Sequence, residues 1–302
     1  MIFPSLAIIV VNYNQIHHTL ECLNSLLSAN AELNQIIVVD NASNDKSVEV
    51  LKNTYGSVLT ILDLSENKGY PYGLNQGIPI ALEKNAEWLL LMNNDVIVDN
   101  NFLVELKNAV IENPKACLIG PAILYYDQKE IIWYMGSRII PGTLIGIRTF
   151  RGHKYHSKFP KYMSTDFVHG CTMMVKKDVF NEIGLFDDEN LIYGDDADFS
   201  WRARCAGFKM LTATQAKMWH KISLTMGLEK PRTRYLRTRN TIAFYRKYTS
   251  GLKMIIMFLF TIAKGSVRII KDIFKGNMFL IKPLILGTID GWFNAQQQRN
   301  IY

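Results

Sequence analysis

Four short, almost wholly apolar runs mark the first hundred residues, at 6–11, 35–39, 59–64 and 88–92. Continuous apolarity over so few residues predicts strands covered on both faces. Between them, 19–29, 43–55 and 72–84 carry apolar positions at helical spacing. The alternation predicts an α/β chain with a mostly parallel sheet, helices on its faces and right-handed crossovers. In such sheets ligands bind at the carboxyl ends of the strands.

The residues at those ends are strongly polar: Asn12-Tyr13-Asn14, Asp40-Asn41-Ala42-Ser43, Ser65-Glu66-Asn67-Lys68-Gly69 and Asn93-Asn94-Asp95. A dinucleotide-binding protein would need a glycine-rich turn after its first strand. Asn12-Tyr13-Asn14-Gln15 holds no glycine, which argues against a dehydrogenase. The apolar run 88–92 ending on two amides and a carboxylate is compatible with a turn, the commoner reading of such residues, and also with a seat for a divalent cation and phosphates. Gly73 and Gly77 fall at helical spacing, where glycine costs about 1 kcal/mol against alanine, so a packing or ligand reason is expected. Residues 195–207 read as a helix with three acids at its start and a glycine at its end. Those acids suit the helix dipole, and Asp198 is placed to pair with Arg202 one turn on.

A chain of 302 residues with 48% hydrophobic content can bury one large core or two small ones. Cys22, Cys117, Cys171 and Cys205 lack metal-ligand or redox spacing, so a reducing compartment without disulfides is expected. The amino terminus carries no secretion-signal pattern, which favours the cytoplasm. No apolar stretch reaches the roughly 18 residues of a membrane-spanning helix.

Towards the carboxyl end the chemistry changes. Residues 229–275 hold twelve Lys or Arg against Glu229 and Asp272, a local excess above the net +7 of the whole chain. On a helical projection Lys253, Lys264, Arg268, Lys271 and Lys275 share one face, with isoleucines and leucines filling much of the rest. That pattern suits a helix lying in a membrane interface, or one packed on a catalytic domain with its lysines in water. Residues 278–293, broken by Lys282, Pro283 and Asp290, read as a companion amphipathic helix. Arg232, Arg234, Arg237 and Arg239 precede them and suit phosphate contacts. Tyr235, Phe244, Tyr245 and Tyr248 interleave with these charges, but no nucleic-acid-binding motif accompanies them, so no nucleic-acid partner is expected.

Taken in order, the motifs resemble the family 2 glycosyltransferases, inverting enzymes of the GT-A fold, and look closest to their rhamnosyltransferase-like branch. The resemblance covers about residues 5–245. It rests on Val10-Val11-Asn12-Tyr13-Asn14, Val38-Val39-Asp40-Asn41-Ala42-Ser43, Asn67-Lys68-Gly69 with Gly73, Asn75 and Gly77, and Asn93-Asn94-Asp95. It continues through Gly170-Cys171, Gly184-Leu185-Phe186-Asp187, Tyr193-Gly194-Asp195-Asp196-Ala197-Asp198 and His220.

The resemblance implies a catalytic domain over 1–228, with a nucleotide-binding half to about residue 100 and an acceptor half over 101–228. A basic, amphipathic, membrane-associating region follows over 229–302. It implies donor contacts from Asn12, Tyr13, Asp40, Asn67, Gly69, Asn75, Asn94, Asp95 and Arg239. Mg2+ or Mn2+ would be held by Asp95 and His220, and Asp196 would be the general base with Asp195 the next candidate. Asn93 departs from the fuller metal motif by replacing its first carboxylate. Residues 121–165, with Trp133, Arg138, Arg148, Arg151, His153 and His156, suit an acceptor-side excursion or an ordinary surface insertion.

The reaction implied is transfer of a sugar, rhamnose from dTDP-rhamnose first, to a glycan or polyprenyl-phosphate-linked acceptor in cell-surface polysaccharide synthesis. The protein would be cytoplasmic and attached peripherally to the anionic inner face of the membrane. UDP-hexose or UDP-galactofuranose are alternative donors. A non-catalytic nucleotide-sugar or membrane-binding module is the reading of a different class, and a homo-oligomer is left open.

Overall fold

The computed structural model describes residues 5–188, 193–222 and 230–294. These form two compact units, the first comprising 1–138, 146–191 and 195–221, the second 139–145, 192–194 and 222–302. Each is described by itself.

The first unit is built on a ten-stranded mixed sheet. Its amino-terminal part alternates as expected: β1 (Leu6–Asn12), α1 (Ile16–Ser28), β2 (Ile36–Asp40), α2 (Ser47–Tyr55), β3 (Thr60–Asp63), α3 (Tyr70–Glu83) and β4 (Trp88–Asn93). β5 (Val96–Val98), α4 (Phe102–Glu112), β6 (Ala116–Tyr125) and β7 (Ile132–Tyr134) follow. Next come a short two-stranded hairpin, β8 (Ser137–Ile139) and β9 (Gly146–Arg148), then β10 (Tyr162–Ser164), β11 (Thr172–Lys176), α5 (Lys177–Ile183), α6 (Asp195–Cys205) and β12 (Lys209–His220). The strand order is β10-β12-β6-β11-β4-β1-β2-β3, so one sheet carries strands from both sides of residue 100. β1 to β4 are mutually parallel, while β11 enters antiparallel between β4 and β6.

Every residue of β1 and β2 is buried, which explains their unbroken apolarity. On one face Ile9, Val11, Val39 and Leu91 pack with Leu74 and Ile78 of α3 and Phe199 of α6. Gly73 and Gly77 serve this packing. A Cβ at Gly77 would stand 2.9 Å from Val39 Cγ2 and 3.0 Å from Ile9 Cγ2, so bare backbone lets α3 lie on the sheet.

The second unit holds α7 (Pro231–Tyr248), α8 (Gly251–Phe274) and α9 (Ile281–Phe293). α7 and α9 meet closely through Gly287 and Gly291, where an added Cβ would lie 2.7 Å from Tyr235 O and 2.7 Å from Ile242 Cβ respectively. Arg234 pairs with Asp272 at 2.6 Å, and the Tyr235 hydroxyl donates to Asp290 at 2.8 Å, both among buried groups. Arg234 therefore ties α7 to α8 rather than facing phosphate in solvent. Among the described residues no helix is long and apolar enough to cross a membrane.

Candidate active site

The strand register brings Asp95 and His220 together from positions far apart in the chain. β5 pairs antiparallel with the end of β12, Val96 opposite His220, and the Lys221 amide donates to Asp95 O at 2.9 Å. His220 Nε2 thereby stands 3.2 Å from Asp95 Oδ1 without the alignment of a hydrogen bond. Asp95 Oδ1 and both ring nitrogens of His220 are buried with no hydrogen-bond partner. Leaving such atoms unsatisfied is costly. Burial by itself would push the Asp95 carboxyl up, but the His220 imidazole and the neighbouring Asn93 side chain outweigh it and hold the carboxyl below the ordinary aspartate range. The amide that replaced the expected carboxylate thus supports its neighbour.

These orphaned atoms test whether a cation fits. Two oxygen or imidazole ligands of one Mg2+ or Mn2+ at right angles stand about 3 Å apart, close to the separation seen here. The Asp95 carboxylate is a hard oxygen donor of the kind such ions prefer, and the His220 imidazole is a borderline nitrogen donor. Among the described residues no group of three or more His, Cys, Asp or Glu is arranged to hold a metal. Asp95 and His220 would therefore supply two ligands, with water and phosphate oxygens completing the shell, which is the usual way Mg2+ is held.

Asp196 reaches the same neighbourhood from the amino end of α6. Its Oδ2 accepts the Gly170 amide at 2.9 Å, and its Oδ1 accepts the Ala197 amide at 2.8 Å. The Asn93 amide donates to Cys171 O at 2.9 Å, which ties the 170–171 turn to the end of β4. Gly170 is required by this approach, since a Cβ there would lie 2.9 Å from Asp196 Cβ. His169 Nδ1 stands 3.9 Å from Asp196 Oδ2. Trp133 links the two carboxylates: its ring packs edge-on against His169 at 4.6 Å and against His220 at 5.0 Å, with the Arg148 guanidinium 5.1 Å from its centre. The charges of both Asp95 and Asp196 add to burial in raising the Cys171 thiol and the Tyr70 phenol. Two acids 101 positions apart in sequence thus act on common neighbours.

Asp195 and Asp196 differ sharply. The Asp195 side chain is buried, and burial, then the Asp196 charge, pushes its carboxyl up to about 7. The Asp196 side chain keeps 24% of its surface exposed. Asp198 pairs with Arg202 Nε at 2.7 Å as expected, and Arg202 also donates to Ile183 O and Leu185 O.

Of the other residues expected at the donor, several have side chains committed to protein partners here. Asn12, fully buried, donates to Asp40 Oδ2 at 2.6 Å and accepts from Thr19 and Asn94. Asp40 Oδ1 also accepts the Ser43 amide, so this buried carboxylate knits β1 to β2 and the following turn. Asn75 holds both the amide and the carbonyl of Phe186, pinning the 186–188 segment to α3. Asn67 Oδ1 accepts from the Gly69 amide and from Asn41. Gly69 has φ 104°, a left-handed value that favours glycine where the chain enters α3. Tyr13 is 42% exposed on the rim. Arg239 lies in the second unit, buried, with Nη1 donating to Asn240 Oδ1 at 2.6 Å.

For four further residues of the neighbourhood no individual role is read from the sequence, although Asn41 lies within the Asp40-Asn41-Ala42-Ser43 motif. His169 precedes the Gly170-Cys171 motif without periodicity. Trp133 belongs to the 121–165 stretch, from which no catalytic residue is named. Tyr70, whose hydroxyl donates to Gly170 O at 2.9 Å, reads as an ordinary helix start. Asn41 Oδ1 is a buried acceptor without a hydrogen-bond partner on the rim, beside Asn67 and Gly69.

Comparison with known proteins bears on the family and the fold. The model of the family described as "Glycosyl transferase family 2" matches residues 7–184. The chain is 28% identical to dTDP-rhamnosyl transferase RfbF of Shigella flexneri, covering 94% of each chain. It is 26% identical to the low-salt glycan biosynthesis hexosyltransferase Agl10 of Haloferax volcanii, covering 95% of this chain and 90% of that one. Among solved structures, mannosyltransferase PcManGT from Pyrobaculum calidifontis, in complex with GDP-Man and Mn2+, is similar at TM-score 0.58 and 14% identity. That match covers 97% of this chain and 88% of the other. GalNAc-T7 with UDP, GalNAc and Mn2+ is similar at TM-score 0.61 and 17% identity, over 80% of this chain and half of that one. These two likenesses show the fold, which is GT-A.

Proposed function

We propose, from the premise that this chain belongs to glycosyl transferase family 2, that it transfers a sugar with inversion from a nucleoside diphosphate donor to a hydroxyl of a glycan or lipid-linked glycan. Membership makes it a glycosyltransferase. Rhamnose from dTDP-rhamnose is the leading donor, supported by the similarity to the Shigella flexneri dTDP-rhamnosyl transferase along nearly the whole chain. The similarity to the Haloferax volcanii hexosyltransferase favours, as a second reading, a UDP-linked hexose or galactofuranose. The acceptor would be presented at the inner membrane face during polysaccharide synthesis.

The observation that carries the reading is an orphaned Asp95–His220 couple together with a partly exposed Asp196, whose carboxylate holds the Gly170 amide beside the Cys171 carbonyl that binds the end of β4. Asp196 would take the proton of the acceptor hydroxyl as that oxygen forms its bond to the anomeric carbon. The bond from that carbon to the diphosphate oxygen breaks on the opposite face, and the nucleoside diphosphate leaves with the electron pair. The Gly170 amide orients the Asp196 carboxylate, and His169 Nδ1 stands 3.9 Å from it. Asp195, buried beside Asp196, has its carboxyl raised to about 7 and so holds its own proton more readily than an ordinary aspartate. Asp95 and His220 would hold Mg2+ or Mn2+, which when bound offsets the charge gathering on the leaving diphosphate.

A thermal-shift screen of nucleotide sugars with Mn2+ tests the donor assignment, because a ligand bound only by the folded state raises its melting temperature. Stabilisation by dTDP-rhamnose above UDP-sugars supports the rhamnosyl reading. A preference for a UDP-hexose selects the second.

A further inference from the structure

In α8 the residues turned towards the neighbouring helices are few. Met257, Thr261 and Asp272 are its buried positions, with Thr261 accepting from Trp292 of α9 at 3.0 Å. The face pointing the opposite way should be polar if it met water alone. It is aliphatic instead. Leu252, Ile255, Leu259, Ile262 and Ile270 are all more than 40% exposed, and Phe274 is 87% exposed. Met278 and Phe279 extend the surface past the end of the helix at 59% and 58%.

The charges around this face have one sign. Residues 251–293 contain six bases, Lys253, Lys264, Arg268, Lys271, Lys275 and Lys282, and all six are exposed. The segment's two acids, Asp272 and Asp290, are buried and bound to Arg234 and Tyr235 of α7. Every exposed charge on α8 and α9 is therefore positive. Lys253, Lys264 and Lys271 share one flank of the aliphatic face, where their stems can lie along it while the ammonium groups reach outward.

From this arrangement we infer that α8 docks in the plane of an anionic lipid bilayer, with the Leu259–Ile270 face entering the acyl boundary and the lysine flank meeting headgroups. A patch this large is a site of association. At 24 residues the helix is about 36 Å long, enough to lie on a bilayer, and it is too charged to cross one. The sign of the charge selects lipid over a second copy of the chain, because two such faces packed together would bring like charges close. The inference shares the membrane part of the proposed function but not its chemistry.

Flotation of the full chain with vesicles tests it, using phosphatidylcholine alone and phosphatidylcholine mixed with phosphatidylglycerol. At least tenfold tighter binding to the anionic vesicles is expected, weakening as salt is raised. Leu259→Glu with Ile270→Glu should lower binding to them by tenfold or more while melting temperature and donor turnover stay unchanged. Lys264→Gln with Lys271→Gln should remove the preference for anionic lipid. Absence of binding to both vesicles, or unaltered binding in both double variants, overturns the inference. So does a lipid-free dimer that the Leu259 and Ile270 changes dissolve. A protein that binds vesicles but transfers no sugar would count against the proposed reaction only, and an active protein that ignores lipid would count against the docking surface only.

Discussion

His220 Nε2 stands 3.2 Å from Asp95 Oδ1, and neither atom has a hydrogen-bond partner. The distance suits two ligands of one cation, and the burial of both atoms makes their unsatisfied state costly without one. Asp95→Asn and His220→Ala should each weaken Mn2+ binding by about tenfold or more, read by calorimetry or by the metal-dependent rise in melting temperature. Chelation should abolish donor turnover in the parent and leave its fold intact. Undiminished Mn2+ binding in both variants would contradict the assignment.

The two adjacent acids of α6 should respond differently to amidation. Asp195, protonated more readily because it is buried beside Asp196, resembles an amide electrically, so Asp195→Asn should retain most of kcat. Asp196→Asn removes the proton acceptor and should lower kcat by roughly 10^2 to 10^4. Steady-state kinetics of the two variants decides between them, and a reversed order would make Asp195 the base.

The same group gives a pH signature in stability. A carboxyl raised from 3.8 to about 7 by folding binds its proton more tightly in the folded state. Its cost is absent below the unfolded value and grows as pH rises from about 4 to 7, after which it is constant. Asp195→Asn removes that cost. The melting-temperature gain of the variant over the parent should therefore increase between pH 4 and pH 7, and a gain independent of pH would refute the buried, proton-holding role.

Gly170→Ala should damage activity more than folding. Its Cβ would press on Asp196 Cβ at 2.9 Å, so the carboxylate must move away from its place. Displacements of this order cost large factors in rate, and a fall in kcat of at least about tenfold is expected with a near-normal melting curve. Gly77→Ala is the complementary case. The clash there is with Val39 and Ile9 in the core, so about 1–3 kcal/mol of stability should be lost in urea titrations while the reaction geometry survives.

How far these features were legible in the sequence follows from their physical origin. The runs that became β1, β2 and β4 could be read because both faces are buried and no polar residue interrupts them. The Asp198–Arg202 pair could be read because helical spacing alone places it. Gly73 and Gly77 announced a special need, but only the structure tells that bare backbone meets Val11, Val39 and Ile9 rather than a ligand. Asn12 and Asn75 look like rim residues in one dimension, yet their amides hold loops in place, since hydrogen-bond partners 28 and 111 positions away cannot be inferred from local pattern. The contact between Trp133 and His169 was hidden for the same reason, as it depends on β7 and β11 both pairing with β6 in the folded sheet. The exposure of the aliphatic face of α8 was equally hidden, because a helical projection shows two faces without telling which one packs.

The most direct measurement is product formation from a nucleotide-sugar donor and a glycan acceptor in the presence of Mn2+, comparing the parent with Asp95→Asn and Asp196→Asn at equal folded concentration. Transfer by the parent with inverted anomeric configuration, reduced at least about a hundredfold in both variants, is the result expected of a metal-assisted base mechanism at this site. Equal turnover in all three proteins, or none in any of them across the donors tested, would contradict it.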